Sequence, residues 1–117
     1  MLVSVLKSKL HRAHVTAKNV DYAGSLSVDE RLMHEVGLLP YEKVVVANLS
    51  TGRRLETYVI PAPPESGTIG LNGAAARLGE VGDSIIVMAF ALVSPEEKIV
   101  TRVAVLDERN RVASLKR

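Results

Sequence analysis

The sequence predicts a mainly β protein, with residues 1–117 folded as one closed barrel that carries a few short helices. Hydrophobic residues make up 47% of the chain, but it has only one Phe, three Tyr and no Trp, so aliphatic side chains must build the core. Such residues favour strands. A helix-turn-strand pattern in residues 32–47 recurs in residues 72–87. Two such halves with many short strands favour a barrel, because closure removes exposed sheet edges.

The N-terminal segment predicts a strand followed by a turn. Met1–Val5 alternates apolar and small residues, and Lys7, Lys9 and His11 share one face if the extended conformation continues. Asp21–Ser25 combines polar residues with a glycine, which is typical of a turn.

A short helix is predicted directly after this turn. Leu26–Val28 leads into a helical segment at Asp29–Val36. Ser27 and Asp29 are both candidate N-caps, and Gly37 is a candidate C-terminal end.

The remainder of the chain predicts further strands and one more short helix. Pro61, Pro63 and Pro64 are expected to stop one of the strands, and Gly67–Gly73 is punctuated by glycines. The predicted elements are strands at Glu42–Asn48 and Arg54–Ile60 joined by a turn at Ser50–Gly52, a helix at Asn72–Leu78, and strands at Ile85–Leu92, Ile99–Leu106 and Val112–Leu115.

Composition argues against several classes of function. The chain carries 15 basic and 13 acidic residues, a net charge too small to indicate a nucleic-acid partner. No cysteine is present, which excludes disulfides, thiolate metal sites and a thiol nucleophile. The longest apolar run, Ile85–Val93, is far shorter than the about 20 residues of a membrane helix, and the N-terminus lacks a signal-peptide pattern. We therefore expect a cytoplasmic protein with no membrane partner.

The dipeptide Gly24-Ser25 could undergo a self-cleavage reaction, although by itself it is an ordinary turn sequence. If a strained turn brings the Ser25 hydroxyl onto the Gly24 carbonyl, the amide can rearrange to an ester, and glycine tolerates such a backbone best. β-Elimination and hydrolysis would then leave a pyruvoyl group at residue 25. Such a ketone can form a Schiff base with an amino acid and accept the electrons released on decarboxylation.

Four segments together resemble the pyruvoyl-dependent aspartate alpha-decarboxylase family, nearly end to end and with the family's spacing. These segments are Lys7-Ser8-Lys9-Leu10-His11-Arg12-Ala13, Tyr22-Ala23-Gly24-Ser25, Gly52-Arg53-Arg54-Leu55-Glu56-Thr57-Tyr58 and Asn72-Gly73-Ala74-Ala75-Ala76. Departures are small: Ala23 stands at a variable position, and Leu26-Ser27-Val28 replaces the more usual isoleucine and threonine.

The resemblance implies a double-psi β barrel that forms a homotetramer with active sites between subunits. It implies cleavage between Gly24 and Ser25 into a β chain (1–24) and an α chain (25–117), and a pyruvoyl cofactor made from Ser25 without metal or external cofactor. The implied activity converts L-aspartate into β-alanine and CO2 for pantothenate and coenzyme A synthesis. Whether maturation needs an accessory protein stays open.

The resemblance also assigns roles to individual residues. Lys9 and Arg54 recognise substrate carboxylate, Thr57 assists processing and substrate binding, and Tyr58 supplies the proton that replaces CO2. The substrate site is further shaped by Asn72, Gly73, Ala74 and Ala75, with His11 and Tyr22 in support.

Each assigned residue also has a plainer interpretation. Lys9 and Arg54 suit a carboxylate as a point charge and a planar fork, but both residue types are common as solvated surface cations. Tyr58 has a donatable proton and shares a strand face with Arg54, whereas Thr57 would face the other way.

For the remaining residues the alternatives are structural. Asn72 can simply cap a helix whose backbone donors would suit an anion, Tyr22 can pack the turn, and His11 can hold neighbouring backbone. His11 and His14 point to opposite faces of a strand, which argues against a zinc pair. The alternative for the whole chain is an uncleaved, non-enzymatic barrel acting as a regulator or adaptor domain.

Overall fold

The computed structural model describes residues 1–117, which form nine strands, one α-helix and one 3₁₀ helix. In chain order they are β1 (Val3–His14), β2 (Ala17–Asn19), β3 (Ser25–Asp29), α1 (Glu30–Val36), β4 (Lys43–Asn48), β5 (Arg54–Ala62), β6 (Ile69–Asn72), the 3₁₀ helix (Gly73–Arg77), β7 (Ser84–Val93), β8 (Arg102–Leu106) and β9 (Val112–Lys116). The prediction of a mainly β protein is confirmed.

All nine strands belong to one sheet with the order β2-β6-β3-β5-β4-β7-β1-β8-β9. Three neighbouring pairs are parallel, namely β1 with β8, β2 with β6 and β3 with β5. Parallel neighbours require long crossover connections, which here wrap the sheet around a single cluster of 21 buried hydrophobic residues. This arrangement agrees with the predicted barrel.

The internal repeat appears as strand pairing between the two halves. β4 and β7, the strands of the two repeats, are antiparallel neighbours, with Val46 opposite Val87 and Ala47 opposite Ile86. β3 and β6, which precede the two helices, are also antiparallel neighbours. Strands of the two halves therefore form hydrogen bonds with each other. As a result, the start of the 3₁₀ helix lies beside the start of β3.

Helix α1 has the ends that local sequence predicts, and the structure selects Asp29 as the N-cap. The Asp29 side chain accepts a hydrogen bond from the Arg31 N–H, and Gly37 adopts the left-handed conformation at the C-terminal end. Lys7 Nζ donates to the Gly37 carbonyl at 2.6 Å and the Ser8 hydroxyl donates to the Val36 carbonyl. β1 thereby satisfies carbonyls that the helix end leaves free.

The predicted common face of Lys7, Lys9 and His11 agrees with the burial pattern of β1, in which these three residues alternate with the buried Ser8 and Leu10. The register of β1 against β7 shifts between Leu6 and Ser8 and again between Leu10 and Ala13. Between these bulges, β1 pairs with β8 in an unbroken register from Ser8 to His11, so Lys9 and His11 keep the alternation. Lys7, at the first bulge, reaches the end of α1 and Glu42.

Differences arise where pairing overrides local signals. β1 extends to His14 because β7 and β8 pair along it. Pro61 lies inside β5 instead of ending it, since the β4–β5 ladder reaches only to Tyr58 and a proline is tolerated where a strand is paired on one side. Ile69–Asn72 forms the buried strand β6 within the glycine-punctuated segment, and β8 begins only at Arg102.

The predicted helix at Asn72–Leu78 is a 3₁₀ helix at Gly73–Arg77, and the capping interpretation of Asn72 is wrong. The Asn72 side chain makes no capping hydrogen bond to this helix. Its amide is engaged by two serine hydroxyls of β3 instead. The pairing of β3 with β6 places the Asn72 side chain beside these serines, although the local sequence predicts it at a helix start.

Replacing Asp29 by Ala is expected to destabilise the fold. One oxygen of the Asp29 carboxylate accepts from Arg31 N–H and Glu65 N–H, and the other accepts from Gly67 N–H, each at 2.9 Å. Losing the cap and stranding these donors should lower the free energy of unfolding by roughly 2 to 4 kcal/mol, measured by urea denaturation. The exposed Glu108→Ala is the control, and an equal effect of both substitutions would contradict this role.

Candidate active site

The Ser25 hydroxyl is buried and held between two partners. Ser25 is the first residue of β3 and only 1% exposed. Its Oγ donates to the Ala23 carbonyl at 3.1 Å and accepts from Asn72 Nδ2 at 3.0 Å. The side chain is therefore turned back over the backbone that precedes it, on the side of the Gly24-Ser25 peptide bond.

Asn72 is positioned by the antiparallel pairing of β3 with β6. It ends β6 directly opposite Ser25, and it is also buried. Its side-chain amide donates one hydrogen bond to Ser25 Oγ and a second, at 2.8 Å, to Ser27 Oγ. Because an NH₂ group has two hydrogens, the two serines occupy both and fix the direction of the amide.

Gly73 is required by the close approach of two backbone segments. Its φ is +65°, and a Cβ at this position would lie 2.6 Å from Gly24 Cα and 2.8 Å from Gly24 N. The same Cβ would lie 3.0 Å from the Tyr22 carbonyl oxygen. The start of the 3₁₀ helix is thus packed directly against the turn that precedes Ser25.

A cleft of about 320 Å³ opens beside this turn. Its lining contains six of the predicted site residues, namely Gly24, Thr57, Tyr58, Asn72, Ala74 and Ala75. Leu55, Glu56 and Leu78 complete the lining. Residues from β3's leading turn, β5, β6 and the 3₁₀ helix therefore meet in one place, although they are far apart in the sequence.

The register of β5 explains how Thr57 and Tyr58 reach the same cleft. β3 and β5 are parallel, and their ladder begins with Leu26 opposite Val59. Extending that register backwards brings Ser25 level with Tyr58 and Gly24 level with Thr57. Since the ladder ends there, the turn crosses the open flank of β5, and neighbouring residues of the strand can both border the cleft.

Arg54 and Lys9 lie outside this cleft. Arg54 begins β5 and lines a separate shallow depression with Val45, Leu55 and Glu56. Lys9 is in β1, paired with Met88 of β7 and Val103 of β8. Because β4 and β7 separate β5 from β1, the strands that carry the two cations are three spacings apart, about 14 Å along the sheet.

His11 is in β1 beside Lys9, next to the second bulge. Burial lowers the pKa of His11 from its usual value, and the charges of Lys9 and Arg12 lower it further. Its Nδ1 is buried without a hydrogen-bond partner. These surroundings favour the neutral imidazole at neutral pH.

Tyr22 contributes to the turn mainly through its backbone. Its N–H donates to the Asn19 carbonyl at 3.3 Å, and its own carbonyl faces Gly73. The Tyr22 ring is exposed. The turn is therefore anchored on both sides of Ala23 and Gly24, by β2 and by the 3₁₀ helix.

Comparison with protein families identifies the family of this chain. The family model described as aspartate decarboxylase matches residues 1–113. The chain belongs to the aspartate decarboxylase family. It is accordingly an enzyme of the decarboxylase class, which rejects the non-enzymatic regulator or adaptor as the alternative.

Curated relatives named aspartate 1-decarboxylase match along nearly their full lengths. The protein from Coprothermobacter proteolyticus is 56% identical over 117 residues, covering 100% of this chain and 98% of the relative. The protein from Pseudothermotoga lettingae is 54% identical over 112 residues, covering 96% and 97%. The protein from Lactiplantibacillus plantarum is 47% identical over 114 residues, covering 96% and 88%.

Two further properties of the decarboxylase follow from the side chains and helices. No three His, Asp or Glu side chains come close enough together to hold a metal ion. Neither helix has the length and apolar character needed to cross a membrane.

Two residues beside the candidate site were not predicted from the sequence. Ser27 was a candidate helix cap but instead accepts the second amide hydrogen of Asn72. Tyr41, in the loop between α1 and β4, places its ring centroid 6.1 Å from that of Tyr58. The β3–β6 alternation could have indicated Ser27, since Ser25 and Ser27 share a strand face, but no local pattern links Tyr41 to Tyr58.

Gly73→Ala should destabilise the decarboxylase more than Gly52→Ala does. Both glycines have positive φ, +65° and +79°, but a Cβ on Gly52 would meet no atom within 4 Å. The matched pair separates crowding against Gly24 from backbone strain, which alone costs about 1 to 2 kcal/mol. Crowding should add roughly 1 to 3 kcal/mol for Gly73→Ala, measured by urea unfolding. Equal losses of unfolding free energy in the two variants would mean that the turn at Gly24 can move away from an added Cβ at little cost.

Proposed function

We propose that the chain cleaves itself between Gly24 and Ser25 and then decarboxylates L-aspartate to β-alanine and CO2. The cleavage gives a β chain of residues 1–24 and an α chain of residues 25–117 whose new end carries a pyruvoyl group. The proposed setting is the cytoplasm, in the synthesis of pantothenate and coenzyme A. The observation that carries the proposal is the buried Ser25 hydroxyl, turned back on the preceding backbone, in a chain of the aspartate decarboxylase family.

Self-cleavage begins with the Ser25 hydroxyl. Its Oγ bonds to the Gly24 carbonyl carbon, the Gly24–Ser25 C–N bond breaks, and the Ser25 nitrogen takes up a proton, leaving an ester. Loss of the Ser25 α-proton with cleavage of the Cβ–Oγ bond releases Gly24 as a carboxylate. Addition of water and loss of ammonia then leave a ketone at residue 25.

The residues around the bond fit this chemistry. Asn72 donates to Ser25 Oγ at 3.0 Å, and in the elimination step this oxygen departs as part of the Gly24 carboxylate, so the same donor stabilises the developing charge. Gly73 packs against Gly24 and limits the conformations of the turn. Thr57 borders the cleft beside Gly24, where its hydroxyl can serve the Gly24 carbonyl during processing.

After cleavage, the ketone supplies an electron sink for the pair released when CO2 leaves. Tyr58, which borders the same cleft, is the proposed donor of the proton that replaces CO2. The backbone at Gly73, Ala74 and Ala75 and the Asn72 side chain bound the pocket for the substrate. Arg54 and Lys9 are the proposed partners of the substrate carboxylates.

The separation of the two cations supports an assembly with active sites between subunits. Arg54 and Lys9 are on strands that β4 and β7 separate, and neither borders the cleft beside Gly24, so a single chain does not gather the proposed substrate contacts in one cleft. The outward residues of β7 include the exposed Phe90 and Leu92, an apolar surface of the kind that interfaces bury. We propose a homotetramer in which a neighbouring subunit completes the set of cations.

Intact-mass measurement tests the cleavage. Wild-type protein should resolve into residues 1–24 and residues 25–117, the latter with a carbonyl-reactive end, whereas Ser25→Ala should fold, stay whole and be inactive because the attacking oxygen is gone. Cleavage of Ser25→Ala at the normal bond would contradict the mechanism. Purified wild type that is cut only after addition of a cell extract would identify a need for an accessory maturation protein.

Arg54→Gln should be cleaved normally but lose most turnover of aspartate. Loss of a bidentate, charge-assisted contact should cost roughly 2 to 4 kcal/mol, or about 30-fold to 1000-fold in kcat/KM. Rates are normalised to pyruvoyl content, so that a maturation defect is not mistaken for a binding defect. Arg53→Gln removes the same charge from the adjacent exposed position as control. Wild-type kinetics in cleaved Arg54→Gln would locate the carboxylate contact elsewhere.

A further inference from the structure

Tyr41 has a backbone conformation that its residue type disfavours. Its φ is +68°, in the left-handed region where a side chain crowds the backbone and where Gly or Asn is the usual occupant. The side chain is 75% exposed, so burial in the core does not offset this strain. Strained residues of this kind are concentrated at functional sites.

Two backbone hydrogen bonds tie this strained turn to β5. The Tyr41 N–H donates to the Val59 carbonyl at 2.8 Å, and the Val59 N–H donates to the Glu42 carbonyl at 3.1 Å. Val59 directly follows Tyr58, so the bonds hold the turn beside that residue. The Tyr41 ring consequently lies 6.1 Å from the Tyr58 ring, centroid to centroid, with the planes tilted by 39°. This distance is within the range of a favourable aromatic pair.

We propose that Tyr41 is a positioning residue that holds the Tyr58 ring in place for proton delivery. The inference rests on the proposed role of Tyr58 as proton donor. Tyr58 is itself 36% exposed, so the barrel core covers only part of its ring. The Tyr41 ring limits the positions that remain open to the Tyr58 hydroxyl.

This role predicts a selective kinetic effect. Proton delivery to the substrate carbon belongs to the chemical steps, whereas the substrate carboxylates are bound by other groups. Loss of the Tyr41 ring should therefore lower kcat by about 3-fold to 10-fold, the range that one aromatic pair provides, and leave KM within about twofold. Cleavage at Gly24-Ser25 should proceed at the wild-type rate, because Tyr58 acts after it.

The test compares Tyr41→Asn with Tyr41→Phe. Asn tolerates the left-handed turn but has no aromatic ring, and Phe retains the ring without the hydroxyl. Tyr41→Asn should be as stable as wild type in urea yet show the fall in kcat, measured per pyruvoyl group. Tyr41→Phe should retain wild-type kcat.

A second readout does not depend on activity. In the uncleaved Ser25→Ala background, the NMR signals of the three tyrosine rings report their surroundings separately. Tyr41→Asn should shift and broaden the Tyr58 ring signals and leave those of Tyr22 unchanged, whereas Tyr41→Phe should leave both unchanged.

Several outcomes would overturn the proposal. Unchanged kcat and unchanged Tyr58 signals in Tyr41→Asn would do so, as would an equal loss of kcat in Tyr41→Phe or a loss that tracks instability. If wild type is cleaved but fails to turn over aspartate, the proposed function fails instead. The NMR comparison still decides, in that case, whether Tyr41 orders the Tyr58 ring.

Discussion

The close packing of Gly73 against Gly24 is the constraint on which the rest of the site depends. A Cβ on Gly73 would come within 2.6 Å of Gly24 Cα, so the turn and the 3₁₀ helix pack too closely for a side chain at this position. This contact keeps the turn next to Asn72, whose amide can then reach Ser25 Oγ. Backbone packing and side-chain hydrogen bonds therefore both act on the segment that contains the Gly24-Ser25 bond.

The barrel brings these pieces together through strand order. β3 is the central strand of the site, with β6 antiparallel on one side and β5 parallel on the other. The first pairing delivers Asn72 to Ser25, and the second delivers Thr57 and Tyr58 to the preceding turn. Neither neighbour is close to β3 in the sequence, so the site can form only once the long-range pairings have formed.

The same strand order divides the proposed functions between two regions. Processing and proton-transfer residues border one cleft, whereas Arg54 and Lys9 lie on strands that β4 and β7 separate. Tyr41 lies next to the first region, beside Tyr58, in a turn that is hydrogen-bonded to Val59. The proposed homotetramer accounts for this division, because a neighbouring subunit could place its own cations beside the cleft.

Local sequence determined the mainly β class, the ends of α1 and the family resemblance. Asp29 and Gly37 mark α1 because capping and a left-handed terminus depend on a few adjacent residues. Tertiary structure alone decided the two bulges of β1, the strand that contains Pro61, the partners of Asn72, and the contact between Tyr41 and Tyr58. Each of these depends on which strand lies alongside, and strand pairing is fixed by burial and hydrogen bonding between distant segments, which local propensity does not encode.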